Sequence, residues 1–486
     1  MTQKSLILLY NSINLPLFST ESSSINLGLL AISSTLKQAG FKVVLIPNIN
    51  NSGTPQLLKK YLPQALLIGI SCMTGDPITN AIKFSRYIKR HHQNIPIVWG
   101  GFHPTIDYQN TIRENFVDFI IRGQGEKAVV ELATELQSQS PQFKSIRGLV
   151  YKKNKKIIVN PPRPNLPISD FPFLDYDLYF NTYPQALNQD FIYCSSRGCP
   201  FECTFCSVSN LYHRQYLKYP TIRLISDLET IVSKYKPQNI FFWDDNFFVD
   251  LDRVQDFINW YKKTHQTFNW SAFSRCPIFS QVDHKFLKQL SKTNCQKIFF
   301  GAESGSPQIL TAIKKHIKPQ DILDSCQKLT AAGIITDYTF ISGFPGETLD
   351  DLDKTIEIIR ALHTINSHSA TRLFSFTPTP GIPILKDCLQ AGFKSPTKLH
   401  QWSKYEYHSY LAPWVSSQHQ QLIKVLVWVT AFASESSAPS SNFLPYKIII
   451  FFMKLDAKIR IKLKFFNLAY EWLFLYNYYK KHYTSL

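Results

Sequence analysis

The sequence predicts an α/β protein in which a doubly wound parallel sheet is followed by a partial (β/α)6 barrel and a helical C-terminal region. Two series of short apolar runs rich in Val, Ile and Leu, without polar alternation, are typical of parallel strands buried on both faces. Amphipathic helical stretches separate the runs, and the pattern becomes helical and aromatic towards the C-terminus. The predicted boundaries are 1–145 for the first domain, 146–185 for a hairpin and Pro-rich connector, 186–385 for the barrel and 386–486 for the C-terminal region.

The composition excludes a disordered or collagen-like chain. At roughly 150 residues per domain, 486 residues predict about three domains, and 44% hydrophobic with 18% charged residues is typical of globular proteins. The net charge of +18 comes from basic residues spread along the whole chain, so it does not indicate nucleic acid as a partner. The N-terminal segment lacks the long apolar stretch of a secretory signal, which predicts a cytoplasmic protein with reduced thiols.

The first domain is predicted to contain five βα units. The apolar runs that predict strands lie at residues 5–10, 42–46, 65–71, 95–99 and 117–121. The stretches with helical periodicity or helix start and stop signals lie at 27–40, 76–92 and 126–137. Residues 148–164 then predict a hairpin that turns near Asn154.

Small and polar residues follow three of these strands directly, with the sequences SCMTG at 71–75, GGFHP at 100–104 and RGQGE at 122–126. The carboxyl ends of parallel strands meet at one edge of a sheet, where doubly wound domains bind their ligands. A glycine there either lets a ligand approach the backbone or only turns the chain tightly. Three such loops at one edge favour a large cofactor, and the absence of G-x-G-x-x-G disfavours a plain NAD site.

The second series predicts six strands with helices between them. The expected strands lie at residues 191–194, 239–243, 268–273, 297–301, 336–341 and 372–376. The clearest helical stretches lie at 222–235, 319–332 and 348–364. A partial barrel of this kind is expected to carry its site at the C-terminal face of the strands.

A loop with the spacing C-x3-C-x2-C follows the first barrel strand and contains Cys199, Cys203 and Cys206. Nine cysteines, of which one group is tightly clustered, do not form a disulfide framework. A [4Fe–4S] cluster normally takes four thiolates, so three would leave one iron open for a chelating substrate. Three alternatives remain. The first is that Cys194, which the pattern places in a strand, serves as a fourth ligand. The second is that the loop binds zinc, and the third is that the cysteines are simply buried.

The sequence SRGCPFECTFC at 196–206 resembles the radical S-adenosylmethionine (SAM) superfamily. The resemblance implies that Cys199, Cys203 and Cys206 hold the cluster, and that SAM binds the open iron and is cleaved to a 5′-deoxyadenosyl radical. It also implies that residues at successive strand ends contact SAM: an acidic group near the amino group, a cation at the carboxylate, a ribose contact and an adenine-side turn. These residues are Phe205, Asp244, Asp245, Asn246, Arg275, Glu303, Ser304, Gly343 and Pro345.

A doubly wound domain with GGFHPT and RGQGE ahead of such a barrel resembles the cobalamin-binding branch of this superfamily, which includes class B methyltransferases and anaerobic cyclases. The resemblance implies a Rossmann-like cobalamin-binding domain whose corrin contacts are Ser71, Gly100, Gly101, His103, Gly123, Gly125 and Glu126. The axial motif D-x-H-x-x-G is missing after the first strand, where the chain reads YNSIN at 10–14. His103 is the remaining axial candidate, although a lone His beside Pro104 favours hydrogen bonding or packing.

The activity that the resemblance implies is methyl transfer from methylcobalamin to an unactivated carbon of a small or lipid-like metabolite. Oxidative cyclisation or ring rearrangement of a tetrapyrrole or natural product is the alternative within the branch. A cobalamin-binding or electron-transfer protein without turnover is the alternative from another class, and RNA modification is a third. An external one-electron donor such as flavodoxin or ferredoxin is implied, and no nucleic acid is expected as partner.

The C-terminal region, 386–486, mixes aromatic and basic residues. Its apolar runs are interrupted too often to span a bilayer, which needs about 20 predominantly apolar residues. A peripheral membrane contact fits this composition. The favoured prediction is instead a helical cap that packs Trp472, Phe474 and Tyr478 onto the barrel, preceded by a surface loop with the sequence SESSAPSS at 434–441.

Overall fold

Two largely parallel sheets, one after the other along the chain, form the frame of the protein in this computed structural model. The structure describes residues 5–13, 25–184, 186, 190–434 and 444–483. The predicted fold class is confirmed: a doubly wound domain precedes a six-stranded parallel barrel sheet, and helices follow it.

The first sheet has seven strands in the order β2-β1-β3-β4-β5-β6-β7, of which the first five are parallel. Its strands are β1 (Leu6–Asn11), β2 (Lys42–Ile46), β3 (Ala65–Ser71), β4 (Ile97–Gly100), β5 (Phe119–Ile121), β6 (Leu149–Lys153) and β7 (Lys156–Val159). Its helices are α1 (Leu27–Gln38), α2 (Thr54–Tyr61), α3 (Pro77–His91), α4 (Phe102–Ile106), α5 (Tyr108–Arg113) and α6 (Glu126–Gln137).

Alternate residues of β1 enter different cores, which explains its uninterrupted apolar sequence. Ile7 and Leu9 pack with α1 and α6, whereas Leu8 and Tyr10 pack on the opposite face with α3. The first of these cores is continuous with the core around the barrel. The two sheets are therefore joined by packed apolar side chains.

The predicted hairpin extends the first sheet by two antiparallel strands, β6 and β7. It turns at Asn154 and Lys155, both with positive φ, at the predicted place. The connector continues into α7 (Tyr176–Thr182), where the buried Tyr176 hydroxyl donates to the carbonyl oxygen of Ile192 at 3.0 Å. This bond fixes the connector against the first barrel strand.

The second sheet contains six parallel strands in the order β15-β14-β13-β12-β11-β8. Its strands are β8 (Phe191–Tyr193), β11 (Asn239–Phe242), β12 (Asn269–Ser274), β13 (Cys295–Glu303), β14 (Ile335–Ser342) and β15 (Ala370–Ser375), and a separate pair is formed by β9 (Ser196–Arg197) and β10 (Leu217–Lys218). The accompanying helices are α8 (Ser207–Leu211), α9 (Thr221–Tyr235), α10 (Leu251–Lys263), α11 (Cys276–Gln281), α12 (His284–Leu290), α13 (Pro307–Ala312), α14 (Pro319–Ala331), α15 (Leu349–Ile365) and α16 (Leu385–Gln390).

The C-terminal region consists of α17 (Ser417–Ala433), α18 (Leu444–Leu463) and α19 (Tyr470–Tyr483). Helix α17 covers the edge strand β15, where the hydroxyls of Thr430 and Ser434 accept the N–H groups of Leu373 and Thr371 at 2.9 and 3.0 Å. These bonds satisfy donors that an uncovered edge would expose. The predicted surface loop at 434–441 lies outside the described residues beyond Ser434.

The predicted helical cap is only partly correct. Trp472 is fully buried and its ring meets that of Phe432, but Phe474 and Tyr478 are exposed rather than packed on the barrel. The reason is the helical repeat: these two residues lie on the face of α19 opposite to the one that contacts α17. No helix in the described ranges is long and apolar enough to cross a membrane.

Candidate functional site

The cysteine loop lies between β9 and α8, at the carboxyl end of the first barrel strand. It is entered through Gly198, whose φ of 80° belongs to the left-handed region. A Cβ at this position would overlap the carbonyl oxygen of Gln215 and lie 2.8 Å from Cβ of Tyr212. The N–H of Gly198 donates to Oδ2 of Asp245 at 2.9 Å. The loop therefore starts from a turn that only glycine fits.

The three predicted cluster ligands share this loop, where Cys203 is buried and Cys199 and Cys206 are half-buried. Burial raises the pKa of Cys206 to about 11, while the N–H groups of Ser209 and Val208 oppose this rise. Burial likewise raises the pKa of Cys199, against a hydrogen bond from the backbone of Phe201. Burial disfavours a free thiolate, whose charge iron would neutralise, and N–H groups that donate to sulfur are common around cluster ligands.

Two further observations bear on the metal chemistry of the loop. Among the described residues, no three His, Cys, Asp or Glu side chains converge on one point as ligands of a single ion. Cys194 is not a strand residue as predicted, because β8 ends at Tyr193; its Sγ donates to the carbonyl oxygen of Ser196 at 2.8 Å. Its thiol is thus engaged with the backbone of a residue two positions further along the chain.

Arg275 is held directly against the cysteine loop. Its Nη1 donates to Sγ of Cys203 at 3.4 Å, its Nη2 donates to the carbonyl oxygen of Lys315, and its guanidinium lies 3.9 Å from the ring centre of Phe201. Lys315 in turn bonds Oε1 of Glu303 at 2.6 Å in a buried ion pair. The arrangement brings a fixed positive charge to a predicted cluster sulfur.

Glu303 occupies a β-bulge at the end of β13 with a φ of 62°. A positive φ at a residue other than glycine costs about 1 kcal/mol or more and is retained where surrounding contacts require it. Here the bulge turns the Glu303 carboxylate towards Lys315. Gly301 leaves the space that this ion pair occupies, because a Cβ at position 301 would overlap the Glu303 carboxylate and lie 3.0 Å from Nζ of Lys315. A charged pair is therefore built into the strand end.

The acidic segment after β11 has a divided role. Asp244 is fully buried and accepts hydrogen bonds from Ser195 N at 3.1 Å, Ser195 Oγ at 2.7 Å and Ser196 Oγ, with Arg253 close by. Asp244 thus anchors the strand before the cysteine loop, and its oxygens are already occupied. Burial raises the pKa of Asp245 to about 6, and this residue faces an interdomain cavity.

Asn246 is buried, and neither atom of its side-chain amide has a hydrogen-bond partner. Buried amide groups are nearly always paired in folded proteins. An orphaned amide directly after two strand-end carboxylates has the donor and acceptor that a polar ligand such as SAM needs. The residues at this strand end therefore fit a polar cofactor.

The remaining predicted SAM contacts lie in two turns. The Ser304 hydroxyl is buried 3.2 Å from the hydroxyl of Thr355, so it ties its loop to α15. Phe205 meets the ring of Phe344 in the turn that also contains Gly343 and the half-buried Pro345. These side chains place aromatic surface beside Cys206.

Glu347 was not predicted, although it ends the same GFPGE sequence. Its carboxylate accepts hydrogen bonds from Gly343 N, from Phe344 N at 3.1 Å and from Ser342 Oγ at 3.1 Å. Burial raises the pKa of Glu347 to about 7. Glu347 therefore holds the turn that presents Phe344 to Phe205.

A cavity of about 370 Å³ opens between the two sheets, at the carboxyl ends of strands from both. Six of the seven predicted corrin contacts line it: Ser71, Gly100, Gly101, Gly123, Gly125 and Glu126. The barrel contributes Trp243, Asp245 and Tyr212 among others. The predicted contacts are therefore brought together, and the cavity joins the first domain to the edge of the cysteine loop.

His103 is the exception, because it is not among the residues that line this cavity. It is fully buried outside the cavity lining, with Nδ1 3.0 Å from the hydroxyl of Thr74 and its ring edge-on to Trp402. Helix α4 begins directly after Gly101 and turns the side chain into the core. Burial lowers the pKa of His103 to about 3, so the imidazole is neutral. The alternative prediction of packing and hydrogen bonding is confirmed.

The floor of this cavity brings backbone close to any ligand. Gly101 has a φ of 90°, and a Cβ there would lie 3.0 Å from Oγ of Ser71. The hydroxyl of Thr105 donates to the carbonyl oxygen of Gly101 at 2.7 Å and accepts the N–H of Gly123 at 3.1 Å. Two glycine loops are thereby locked together, leaving a smooth cradle that fits a large planar group such as a corrin.

One ion pair connects the cofactor domain to the cysteine loop. Arg197, in β9, donates through Nη1 to Oε1 of Glu126, which begins α6 and is almost fully buried. Both residues line the cavity. The sequence predicts a role for Glu126 but not for Arg197, because the pair joins positions 71 residues apart.

Inside the barrel, alternate strand residues form an aromatic group. Phe241, Phe273 and Phe299 are half-buried on β11, β12 and β13, with ring centres 5.1–5.4 Å apart, and Trp243 lies 5.0 Å from Phe241. Trp243 also lines the interdomain cavity. The apolar barrel interior therefore reaches the cavity through this indole.

Comparison with known proteins agrees with this architecture. Sequence profiles of the B12 binding domain and of the radical SAM superfamily match residues 15–133 and 193–359. An uncharacterized methyltransferase of Pyrococcus horikoshii is 31% identical over 342 residues, which cover 69% of this chain and 73% of the relative. An anaerobic magnesium-protoporphyrin IX monomethyl ester cyclase of Synechocystis is 24% identical over 73% of this chain and 70% of its own length.

Among solved structures, that of the radical SAM methyltransferase TsrM from Kitasatospora setae, with tryptophan and a SAM analogue bound, superimposes with a TM-score of 0.70. The match covers 86% of this chain and 88% of that one at 15% identity. It therefore supports the fold of both domains in the same order.

Proposed function

This chain belongs to the cobalamin-dependent radical SAM methyltransferase family, and on that premise we propose that it methylates an unactivated carbon of an apolar small or lipid-like molecule. The observation that carries the proposal is the interdomain cavity, which adjoins both the glycine cradle and the cysteine loop. The aromatic interior of the barrel supports an apolar substrate, since Phe241, Phe273 and Phe299 offer few hydrogen-bonding groups.

The cofactors of the family are a [4Fe–4S] cluster, SAM and cobalamin. The chemistry supplied by these groups when bound is reductive cleavage of SAM, removal of a substrate hydrogen atom and delivery of a methyl group. Cys199, Cys203 and Cys206 would hold the cluster. Arg275 donates a hydrogen bond to the Cys203 sulfur and so shares the negative charge of its thiolate.

The other residues of the chain position and enclose these groups. Asp245 and Asn246 would bind the amino group of SAM, while Asp244 keeps the preceding strand in place. The Phe205–Phe344 pair would cover the adenine and exclude water. Ser71, Gly101 and the other cradle residues would support the corrin, and no histidine occurs among the described residues of the cavity lining.

The electron donor and the cellular location are further proposals. An external one-electron donor such as flavodoxin or ferredoxin would reduce the cluster. A cytoplasmic location is supported by the cysteines: none of the nine forms a disulfide, which is typical of proteins in a reducing compartment.

The test is anaerobic reconstitution with iron, sulfide and hydroxocobalamin, followed by measurement of iron, corrin and the cleavage of methyl-labelled SAM. Cys203→Ala should retain corrin and lose iron and SAM cleavage. Cys194→Ala is the matched control and should keep the wild-type iron content, because its thiol is bound to backbone. Wild-type protein that binds corrin but neither iron nor SAM would identify a binding protein instead.

Cyclisation is the second candidate, favoured by the similarity to the Synechocystis cyclase. The two reactions differ in mass balance: methylation adds one CH2 unit to the substrate, whereas oxidative ring closure removes hydrogen. Mass spectrometry of apolar products formed with methyl-labelled SAM therefore separates them. Label in the product supports methylation, and an unlabelled, dehydrogenated product supports cyclisation.

A further inference from the structure

The two C-terminal helices expose an unusual amount of apolar surface. Of the 21 large hydrophobic side chains that are exposed among the described residues, 12 lie between Ile448 and Tyr478. This segment is less than a tenth of the chain, so the exposure is concentrated rather than scattered. Contiguous apolar patches on a protein surface mark contact with a partner or a membrane.

Five of the seven large hydrophobic side chains that are exposed among the described residues of α18 form one row along the helix, at spacings of four and three residues. Each member of the row is 45–66% exposed: Ile448, Phe452, Leu455, Ile459 and Leu463. The opposite face contains the buried Ala457 and Ile461 and packs against α15 and α17. Helix α18 is thus apolar on two faces, of which one is covered by the protein and the other is not.

Helix α19 exposes a similar row, Tyr470, Phe474 and Tyr478, spaced four residues apart; the two rows together are named the outer row. Its inner face is firmly attached: Nε1 of Trp472 donates to Oδ2 of Asp456 at 2.7 Å, and the Tyr476 hydroxyl donates to the carbonyl oxygen of Ser409 at 2.7 Å. The outer row therefore does not result from a loosely packed helix. It is a surface of a fixed element.

Positive charge borders the outer row. Lys458 and Lys462, both exposed, lie four residues apart along one side of it. The acidic residues of the segment, Asp456 and Glu471, are both bonded to Arg460, at 2.7 and 2.6 Å. Residues 444–483 contain eight Lys and Arg residues against these two acidic ones, so the segment has a net positive charge.

We propose that the outer row, with its lysine border, docks on the surface of an anionic lipid bilayer. An apolar helix face flanked by lysines is the arrangement of helices that lie in the interfacial plane. The positive border attracts anionic headgroups while the large side chains enter the acyl boundary. The net charge of +18 favours an anionic occupant over a second copy of this basic chain. The inference is independent of the proposed activity, since it uses no residue of the candidate site.

Vesicle flotation of the reconstituted full chain tests this docking. Binding is expected to vesicles of phosphatidylcholine with phosphatidylglycerol and to be much weaker with phosphatidylcholine alone. In the double variant Phe452→Ser with Leu455→Ser, affinity should fall about tenfold or more for each side chain removed. In Lys458→Gln with Lys462→Gln, it should fall about fivefold for each charge, with a weaker dependence on salt.

Ile222→Ser is the matched control, because Ile222 is 81% exposed on α9 outside the C-terminal region and should leave binding unchanged. Iron and corrin content report whether each variant is folded. If the serine variant fails to fold, the glutamine variant still tests the lysine border. Failure of the wild type to float, equal flotation of all variants, or a dimer that the serine variant converts to monomer would each overturn the proposal.

Discussion

Substitution of Gly198 by alanine should prevent the cysteine loop from reaching its cluster-binding shape. The φ of 80° costs an alanine about 1 to 2 kcal/mol. The added Cβ would also overlap the carbonyl oxygen of Gln215, so the backbone must move and the hydrogen bond from Gly198 to Asp245 is lost. Loss of this hydrogen bond to a charged carboxylate costs about 1.5 to 3 kcal/mol more.

Gly333→Ala is the control that separates these terms. Gly333 has a φ of 74°, but a Cβ there meets no atom within 4 Å. The Gly333→Ala variant therefore carries the backbone penalty alone. The free-energy cost of Gly198→Ala is expected to exceed that penalty by about 2 kcal/mol. At about 1.4 kcal/mol per factor of ten, this corresponds to about 30-fold less loop in the binding conformation.

The assay is iron content after anaerobic reconstitution at limiting iron, followed by the rate of cluster loss to a chelator. Gly198→Ala should bind markedly less iron than Gly333→Ala and lose it faster, while both keep the thermal midpoint of a folded protein. Equal iron content and equal loss rates in the two variants would refute the steric argument and the assignment of this turn to the cluster site.

Two other predictions concern buried charges. In the variants Glu126→Gln and Arg197→Met, cobalamin retention should fall, because each substitution leaves one charge of the interdomain ion pair uncompensated. Equilibrium dialysis of cobalamin with the two single variants and the double variant should give a coupling energy of about 1 to 3 kcal/mol. Strictly additive losses of affinity would contradict the coupling. The pKa of Glu347 is raised to about 7 from an ordinary value of 4.5. Between these two pH values the folded chain keeps a proton that the unfolded chain has released. The free energy of unfolding should therefore fall as the pH rises through this range. Thermal midpoints from pH 5 to 8 should show a smaller decline in Glu347→Gln than in the wild type, and an unchanged decline would assign the effect to another group.

The sequence is most informative where a property repeats along a regular element. Residues 42–46, 65–71 and 126–137 have their predicted bounds because burial on two faces, or on one helix face, leaves a periodic pattern. Because the carboxyl ends of parallel strands meet at one edge of a sheet, the sequence also places Ser71, Gly101 and Gly123 together, and all three line one cavity. Both successes rest on local pattern combined with a general property of parallel sheets.

The sequence is less informative about side-chain direction and about partners distant in sequence. His103 lies in the predicted loop, but a helix that starts one residue earlier turns it into the core. Phe474 and Tyr478 are apolar residues whose exposure depends on which face of α19 meets the protein. The contacts of Arg275 with Lys315 and of Arg197 with Glu126 join separate elements, so no local pattern reveals them.

The anchoring of the cysteine loop determines when a metal centre can be installed. Besides the bond from Gly198 to Asp245, Thr204 N donates to the carbonyl oxygen of Ile313, and Ile384 N donates to that of Thr204, both at 3.0 Å. These anchors come from parts of the barrel that are synthesised up to 180 residues after the loop. Unlike a zinc finger, which folds around its ion, this loop takes its anchors from a folded barrel, so we expect iron and sulfide to enter an apoprotein that is already folded.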